Sequence, residues 1–417
     1  MTRYRFATMP TIVQKYGGTS VGSVERIKNV AKRIVNTKKA GNHVVVIVSA
    51  MGHTTDELVS LLGQITKNPS PREYDMLLST GEQVSAALLA SAIIEMGHDA
   101  VSLTGGQAGV ITEDIPSKAR IKDVRFDRMK KELAKGKIII ITGFQGIDSK
   151  GDITTIGRGG SDTSAVVIAA ALKADVCEIY TDVDGIYTTD PRVVSQARKL
   201  NRISHEEMLE MASVGAGVMH PRSIECGKIY GIDINVRSSM NNNPGTLITS
   251  IKDKKGREKM EKSGLVTGIA FDNNVAKIGV LQVPDKPGIA STIFNALAKE
   301  KISVDMIVQS IHGGSVADMA FTVSRSDLKK AKNLIESLAK KMGAAGVITD
   351  SNVSKISLIG VGMVSAPGVA AKMFDTLAKN NINIHMISTS EIRISCVVEE
   401  KFAKKAVQVL HSAFNLG

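Results

Sequence analysis

A lysine followed by two glycines lies near the start of the chain, in the run Lys15 to Ser20 (KYGGTS). A strand-like segment precedes it and an amphipathic helical pattern follows it. Two glycines allow backbone N–H groups to face an anion, and Thr or Ser caps a helix N-terminus, where anions bind favourably. The run therefore predicts either a phosphate cradle or an ordinary strand-to-helix turn. Neither GxxxxGK[ST] nor GxGxxG occurs in the sequence.

Three glycines surround a single arginine in the run Gly157 to Thr163 (GRGGSDT), directly ahead of an apolar helical pattern. A guanidinium group is suited to bidentate capture of a carboxylate. A structural loop can carry two glycines, but three around one arginine indicate a functional site at a helix N-terminus.

A third run, Thr181 to Arg192 (TDVDGIYTTDPR), follows a predicted strand. Asp184-Gly185 is an ordinary turn signal, whereas Asp182, Asp190 and Arg192 in the same loop are explained by contacts to a nucleotide and Mg²⁺. Glu82, in a run that opens a helix, is interpreted either as a first-turn acid that favours the helix dipole or as a substrate ligand.

Alternating strand and helix patterns over the first ~248 residues must position these runs. Continuous apolar strands between amphipathic helices predict an α/β layer sandwich with a largely parallel sheet. Ligands of such sheets bind at the carboxyl ends of strands, where the glycine-rich turns fall. The predicted strands are Thr11–Tyr16, Val44–Ser49, Ala100–Leu103, Lys137–Thr142 and Val176–Thr181, and the predicted helices include Thr80–Met96, Ile121–Leu133 and Thr163–Leu172.

The last part of the chain contains an internal repeat at an offset of 80 residues, in which Pro287 to Ala290 (PGIA) matches Pro367 to Ala370 (PGVA). Each copy predicts the βαββαβ order of a ferredoxin-like module. A lysine-rich polar stretch precedes the repeat and predicts a linker. The expected domains are residues 1–248, a linker at 249–264, and modules at 265–343 and 344–417.

The composition excludes several classes of protein. The net charge of +12 comes from scattered lysines, which indicates solvated faces and anionic substrates and no nucleic-acid partner. Unbroken apolar runs are of strand length, below the ~20 residues of a membrane span. Three cysteines lie far apart without a CxxC pair, which suits a reducing cytoplasm and argues against disulfides and structural zinc.

Together these runs resemble the aspartate kinases of the amino-acid kinase family, and the repeated modules resemble the ACT regulatory domains of the same enzymes. The resemblance covers essentially the whole chain, in the right order. It implies an amino-acid kinase three-layer sandwich plus two ferredoxin-like ACT domains. It also implies ATP-dependent phosphorylation of L-aspartate to 4-phospho-L-aspartate, the first step towards lysine, threonine and methionine.

The resemblance also implies roles for individual residues. Lys15 and Asp182 are the expected catalytic residues, and Mg²⁺ is expected to be held mainly by the ATP phosphates, with no metal site on the protein. Gly217 occupies a position where many relatives have lysine, and no ligand is assigned to it. The expected ATP site is Lys15, Tyr16, Gly17, Gly18, Ser161, Thr181, Asp182, Tyr187 and Arg192. The expected aspartate pocket is Ser49, Thr55, Glu82, Gly143, Phe144, Arg158, Gly159, Gly160 and Ser161.

Lysine, threonine or both are the expected feedback effectors, bound by the paired modules, through which a homo-oligomer is also expected. Kinases of glutamate, N-acetylglutamate or UMP, and a non-catalytic amino-acid sensor, are the alternatives. The expected regulatory residues are Asp285, Gly288, Ala290, Gln309, Ser365, Pro367, Gly368, Val369, Ser388, Thr389, Ser390 and Glu391.

Overall fold

The computed structural model describes residues 9–250, 265–311, 315–363 and 366–417. Its described residues form two compact units. The first contains residues 9–186, 199–212 and 217–250, and the second contains 187–198, 213–216 and the described residues from 265 onwards. The expected domain boundaries are linear along the chain, whereas these units interleave.

The first unit is built on a largely parallel sheet of eight strands, in the order β10-β12-β11-β9-β1-β2-β6-β3, in which only β11 and β12 pair antiparallel. A smaller sheet has the order β5-β4-β7-β8. The strands are β1 (Thr11–Tyr16), β2 (His43–Val48), β3 (Ala100–Leu103), β4 (Val110–Thr112), β5 (Ile121–Val124), β6 (Ile138–Thr142), β7 (Gln145–Ile147), β8 (Ile153–Thr155), β9 (Val176–Thr181), β10 (Arg202–Ser204), β11 (Ile234–Ser238) and β12 (Thr246–Thr249).

Helices cover both faces of the main sheet, so its central strands are apolar throughout. Val44, Val46 and Val48 pack in one core with α1 and α3, whereas Ile47 points to the other face, towards α5. The predicted layered fold with a largely parallel sheet is confirmed. The helices are α1 (Val24–Lys39), α2 (Thr54–Ile65), α3 (Pro71–Glu95), α4 (Asp127–Ala134), α5 (Gly160–Leu172), α6 (His205–Ser213) and α7 (Pro221–Tyr230).

Two predicted helices have different bounds in the structure. The helix predicted over Ile121–Leu133 is wrong at its start, because Ile121–Val124 form β5, which pairs antiparallel with β4, and only Asp127–Ala134 is helical. The helix predicted from Thr80 begins at Pro71, a residue whose fixed φ favours the first helical turn.

Among the described residues, α3 is the one helix long and apolar enough, by length and composition, to cross a membrane. Half of that apolar stretch is buried inside the protein, and α3 packs on α1 and on strands of both sheets. Its buried face carries the acidic side chains of Asp75 and Glu82. Polar residues interrupt the helix, so a search for unbroken apolar runs does not detect it.

The second unit contains one antiparallel sheet in the order β14-β15-β13-β16-β18-β17, with the two copies of the repeat side by side. Each copy has its own apolar core. The elements are β13 (Gly268–Pro284), α8 (Ile289–Lys299), β14 (Ile307–Ile311), β15 (Val316–Val323), α9 (Leu328–Met342), β16 (Gly346–Ile359), α10 (Val369–Lys379), β17 (Met386–Thr389), β18 (Arg393–Glu399) and α11 (Ala403–Ala413).

The long strand β13 serves both copies. Its second part pairs with the start of β16 in the first copy, which has the predicted βαββαβ order. Its first part, residues 268–272, pairs with residues 355–359 of β16, and Ile269 packs in the core of the second copy. The second copy is thus βαββα in sequence, and its last strand comes from ahead of the first copy.

Candidate functional site

The carboxyl ends of neighbouring parallel strands bring the predicted runs to one edge of the main sheet. The loop after β2 is held to β1 by the Ser49 N–H, which donates to the Tyr16 carbonyl (3.1 Å). The Gly143 N–H, after β6, donates to the Val48 carbonyl (2.9 Å), and the Gly17 N–H, after β1, donates to the Tyr180 carbonyl of β9 (3.2 Å). Three loops therefore start from fixed, adjacent positions.

These loops and α5 enclose a cavity of about 300 Å³. Most residues expected for the aspartate pocket line it, together with Lys15 and Gly18 of the expected phosphate cradle. Gly143 lies directly beneath, because a Cβ on it would be 2.7 Å from Ser161 Oγ. The lining residues are Lys15, Gly18, Ser49, Ala50, Gly52, Thr55, Glu82, Phe144, Gly157, Arg158, Gly159, Gly160, Ser161 and Asp162.

Lys15, near the carboxyl end of β1, is paired with a carboxylate that the sequence analysis did not assign. Its amine lies 2.7 Å from Asp162 Oδ1, and the two side chains are only 11% and 12% exposed. Asp162 lies in the first turn of α5, inside the GRGGSDT run, where an acid also favours the helix dipole. Its place in that run was the signal that could have identified it.

Glu82, on α3, is a buried carboxyl group that lines the cavity. Its Oε1 accepts a hydrogen bond from the Ala50 N–H (3.1 Å), and its buried Oε2 has no hydrogen-bond partner among the described residues. Burial raises the pKa of Glu82 to about 7, because desolvation disfavours the charged form. The Oε2 atom of Glu82 can therefore accept a hydrogen bond from a cationic group of a ligand in the cavity.

Gly18 and Gly159 lie where neighbouring segments around the cavity come too close for a side chain. A Cβ on Gly18 would lie 2.8 Å from the Ala50 carbonyl oxygen. Gly159 has a φ of +69° at the N-cap of α5, and a Cβ there would lie 2.2 Å from the Cβ of His220. Phe144, a non-glycine residue, also has a left-handed backbone (φ +67°) and is held by the Ile156 N–H on its carbonyl. Unusual backbone conformations gather where a cavity must be shaped.

Arg158 is exposed and forms no ion pair within the described part of the chain. It follows Gly157 and precedes the N-terminus of α5. The cavity lining therefore carries two cationic side chains, Lys15 and Arg158, and two acidic ones, Glu82 and the Asp162 that is paired with Lys15. Such a site suits a ligand that carries both signs of charge.

Six of the nine expected nucleotide residues do not line this cavity, among them Gly17, whose N–H already donates to the Tyr180 carbonyl. The Tyr16 side chain is fully buried and stacks on Tyr180 (centroids 4.7 Å apart), so only its backbone can reach a ligand. Asp182 is exposed after β9 and accepts a hydrogen bond from Thr181 Oγ1 (3.0 Å), and neither residue lines the cavity.

Tyr187 and Arg192 belong to the second unit. The Arg192 guanidinium donates to both oxygens of Asp190, which lowers the pKa of that carboxyl group. Within this unit the Thr188 hydroxyl donates to the Leu416 carbonyl oxygen and lies 3.0 Å from His411 Nε2. The segment is thereby tied to the end of the chain.

A second cavity of the first unit, about 680 Å³, lies beside α1 and is lined by Arg26, Lys32, Arg33 and Arg237 among others. The guanidinium groups of Arg33 and Arg237 lie 5.0 and 5.6 Å from the ring centroid of Tyr180. Arg33 donates to the Asn241 carbonyl (2.7 Å) and Arg237 to Glu178 (2.8 Å). These arginines fix the loop that follows β11.

Within the described residues, no group of three or more His, Cys, Asp or Glu side chains could hold a metal ion. A bound Mg²⁺ would therefore depend on oxygens from a ligand such as a nucleotide. The one carboxylate beside Lys15 in the cavity is already paired with that lysine.

The two copies of the repeat place their predicted effector residues equivalently. Gly288 and Gly368 are the N-caps of α8 and α10, with φ of +98° and +100°. Pro367, Ala290 and Val369 flank these caps, and Asp285 precedes the first of them. Gln309, Ser388 and Thr389 lie on the edge strands β14 and β17, and Ser390 and Glu391 follow β17. Ser365 lies outside the described residues.

Comparisons with known proteins agree with this architecture. Residues 10–238 match the amino acid kinase family, and residues 278–340 and 356–414 each match an ACT domain. The aspartokinase of Bacillus sp. (strain MGA3) is 51% identical over 408 residues, which are 98% of each chain. The chain belongs to the aspartate kinases of the amino acid kinase family.

Solved structures show the same relationship. E. coli aspartokinase III in complex with aspartate and ADP (R-state) has a TM-score of 0.78 and 26% identity, over 97% of this chain and 100% of that one. The complex of the E. coli enzyme with lysine and aspartate (T-state) has a TM-score of 0.75 and 27% identity, over 97% and 99%. As an aspartate kinase, the chain is a phosphotransferase with a carboxyl group as acceptor.

Proposed function

We propose that this enzyme transfers the γ-phosphoryl group of ATP to the side-chain carboxylate of L-aspartate, giving 4-phospho-L-aspartate and ADP. The observation that carries the proposal is the single cavity in which Lys15, Arg158 and Glu82 meet. Its two cations suit a phosphate and a carboxylate, and its acid suits an ammonium group. The ligands named for E. coli aspartokinase III, aspartate and ADP, support this pair of substrates.

The chemistry requires little acid–base work from the protein. An aspartate side chain, with a pKa near 3.9, is already anionic at neutral pH, so no general base is needed. The barrier lies in bringing two anions together and holding them in line. Lys15, the backbone N–H group of Gly18 and the N-terminus of α5 supply positive potential at the cavity, whereas the Gly17 N–H already donates to the Tyr180 carbonyl. When bound, Mg²⁺ would be held mainly by the phosphates and would neutralise their charge.

Recognition of the amino acid is assigned to the two other charged residues of the cavity. We assign the α-carboxylate of aspartate to Arg158, which can present two parallel N–H donors, and the α-ammonium group to Glu82. Asp162, 2.7 Å away, holds the Lys15 amine in the cavity, and we assign this amine to the transferring phosphoryl group.

The two ACT copies are proposed to bind lysine, threonine or both, and thereby to inhibit the kinase. The glycine N-caps of α8 and α10 leave backbone N–H groups for an effector carboxylate. The E. coli complex with lysine and aspartate (T-state) supports lysine as one effector. The enzyme would then begin the route to lysine, threonine and methionine, as a homo-oligomer through the edge strands of these copies.

Trapping of the acyl phosphate with hydroxylamine tests the activity. The purified enzyme with ATP and Mg²⁺ is expected to form hydroxamate with L-aspartate, and far less with glutamate or N-acetylglutamate. Because UMP has no carboxyl group to form a hydroxamate, release of ADP checks that substrate and should be far slower than with L-aspartate. Lys15→Ala should remove the signal. Amino-acid binding without any aspartate-dependent turnover would favour the alternative of a sensor protein.

A further inference from the structure

Asp75 lies at the junction of the segments that shape the cavity, although it does not line the cavity itself. It is fully buried on α3, seven residues before Glu82. Seven residues are close to two helical turns, or roughly 10 Å. Both carboxyl groups therefore lie on the same, buried face of one helix.

Within the described residues, the Asp75 carboxylate accepts four hydrogen bonds, all from two segments distant in sequence. Its Oδ2 accepts from the backbone N–H groups of Ser117 and Thr155, each at 2.7 Å. Its Oδ1 accepts from the hydroxyl groups of Ser117 (3.2 Å) and Thr155 (2.8 Å). Buried, charge-assisted bonds of this kind are strong and fix geometry.

Both segments lie next to the loop that carries Arg158. Thr155 ends β8, two residues before Gly157, and a Cβ on Gly157 would lie 3.3 Å from the Ser117 carbonyl oxygen. Ser117 has a left-handed backbone (φ +67°), a conformation that Asp75 holds through its N–H and its hydroxyl.

The side chain of Arg222 binds the same two segments, through backbone carbonyl groups close to the groups that Asp75 binds. The Arg222 guanidinium, on α7, donates to the carbonyl oxygens of Ile156 (2.9 Å) and Ala119 (3.1 Å). With the Arg158 loop attached to α7 through Arg222 and to α3 through Asp75, the position of Glu82 relative to Arg158 depends on the Asp75 bonds.

We propose that Asp75 is a positioning residue that sets the spacing between Glu82 and Arg158, and so the affinity for aspartate. The inference rests on the proposed function, since it takes these two residues as ligands of the substrate's ammonium and carboxylate groups. Loss of the Asp75 bonds removes the direct contact of α3 with Ser117 and Thr155, and leaves α3 joined to the smaller sheet through Ser79 with Gln145 and Arg72 with Asp152. The phosphate side of the cavity, at Lys15, depends on β1 and α5 instead.

Steady-state kinetics of three variants test the proposal. Asp75→Ala should raise the KM for aspartate at least about tenfold with the KM for ATP nearly unchanged, since a misplacement of about 1 Å can cost ~10²-fold. Asp75→Asn should recover most of the affinity, because an amide oxygen can accept both N–H groups while the two hydroxyl groups turn to accept from its NH₂.

Asp152→Ala is the matched control. The Asp152 carboxylate also joins α3 to β8, because its Oδ1 accepts a hydrogen bond from Arg72 Nε of α3 (3.0 Å). Asp152 directly precedes that strand, however, and lies away from Arg158. This variant should leave the KM for aspartate unchanged. If Asp75→Ala does not fold, Thr155→Val, which removes one of the four bonds, should raise the same KM by a smaller factor.

Two results would overturn the inference while leaving the proposed function intact. One is an active Asp75→Ala variant whose KM for aspartate matches that of Asp152→Ala. The other is an equal rise in both KM values, which would show a general loss of structure. Absence of aspartate-dependent turnover in the wild-type enzyme would instead remove the proposed function, and this inference with it.

Discussion

The amine of Lys15 lies 2.7 Å from the carboxylate of Asp162, joining the end of β1 to the first turn of α5. Because both side chains are nearly buried, solvent and salt screen the pair weakly. The pair holds the lysine at the cavity before any substrate arrives. An incoming phosphate would have to share the lysine with Asp162.

Replacing Lys15 with Met should lower kcat by at least about 100-fold, as expected for loss of one electrostatic donor. From the sequence alone little effect on folding is expected. The buried pair changes that expectation, because an unpaired Asp162 should cost about 3 kcal/mol of folding free energy. The double variant Lys15→Met/Asp162→Asn should regain stability but not turnover. Chemical denaturation and kinetics check both, and a kcat above about a tenth of wild type would contradict the role.

Arg158→Lys should raise the KM for aspartate strongly while the KM for ATP changes little. A lysine keeps the charge but cannot offer two parallel donors to a carboxylate. Arg120→Lys, at an exposed arginine of the same unit that does not line the cavity, is the control and should behave as wild type. An unchanged KM for aspartate in Arg158→Lys would remove this residue from the pocket.

Glu82→Gln should change how stability depends on pH. Burial raises the pKa of Glu82 to about 7 from 4.5, so the folded protein holds this proton more tightly than the unfolded chain does. The resulting stabilisation is complete below the unfolded value and is lost as the pH rises through about 7. The free energy of unfolding of Glu82→Gln, relative to that of wild type, should therefore rise by about 3 kcal/mol between pH 4 and pH 8.

The control for Glu82 is Glu95→Gln, at an exposed residue of the same helix, which should show no such pH-dependent gain. In the wild-type enzyme the KM for aspartate should fall as the pH rises through about 7, because only the ionised carboxylate attracts an ammonium group. A KM that does not vary across this range would exclude Glu82 as that ligand.

Gly159→Ala should destabilise the first unit more than Gly151→Ala does. Both glycines have positive φ, +69° and +86°, so both variants carry a backbone cost of about 1–2 kcal/mol. Only at Gly159 would the new Cβ also meet His220, whereas nothing lies within 4 Å at Gly151. The difference between their free energies of unfolding measures the steric part. Equal free energies of unfolding would show that His220 moves aside at no measurable cost.

Asp285→Ala should weaken inhibition by lysine, threonine or their mixture, since Asp285 precedes the glycine N-cap of α8 and can hold an effector ammonium group. Asp375→Ala, at an exposed carboxylate of α10 paired with Lys379, is the control and should stay fully inhibited. A coupling of ~1–3 kcal/mol corresponds to a change of about 5- to 150-fold in substrate affinity. Equal inhibition of both variants would place the effector elsewhere.

The sequence predicts those features of the fold that depend on local pattern. β2 and β6 are unbroken apolar runs, which identify central parallel strands. Glycine-rich runs after such strands then place Gly18 and Arg158 at one edge of the sheet. Because strand ends and helix starts have strong local signals, the sequence predicts most of the residues that line the cavity.

The remaining features depend on contacts between residues distant in sequence. Asp75 binds Thr155, 80 residues later, and no periodic pattern marks such a pair. Asp162 has an ordinary interpretation as a first-turn acid, so its pairing with Lys15 is hidden. The sequence pattern predicts a helix over the short strand β5, because the pairing of β5 with β4 is not encoded in local apolar spacing.

The strand at residues 268–272 makes the two ACT copies unequal as separable modules. Residues 275–350 carry all four strands of the first copy, so one continuous segment of the chain forms the whole sheet of this copy. Its exchange by recombination would leave the second copy able to close its own sheet. Removal of residues 353–417 would leave residues 268–272 without the strand at residues 355–359 with which they pair, and an unpaired strand edge is a site of aggregation. Replacement of a whole copy should therefore preserve the sheet more readily in the first copy than in the second.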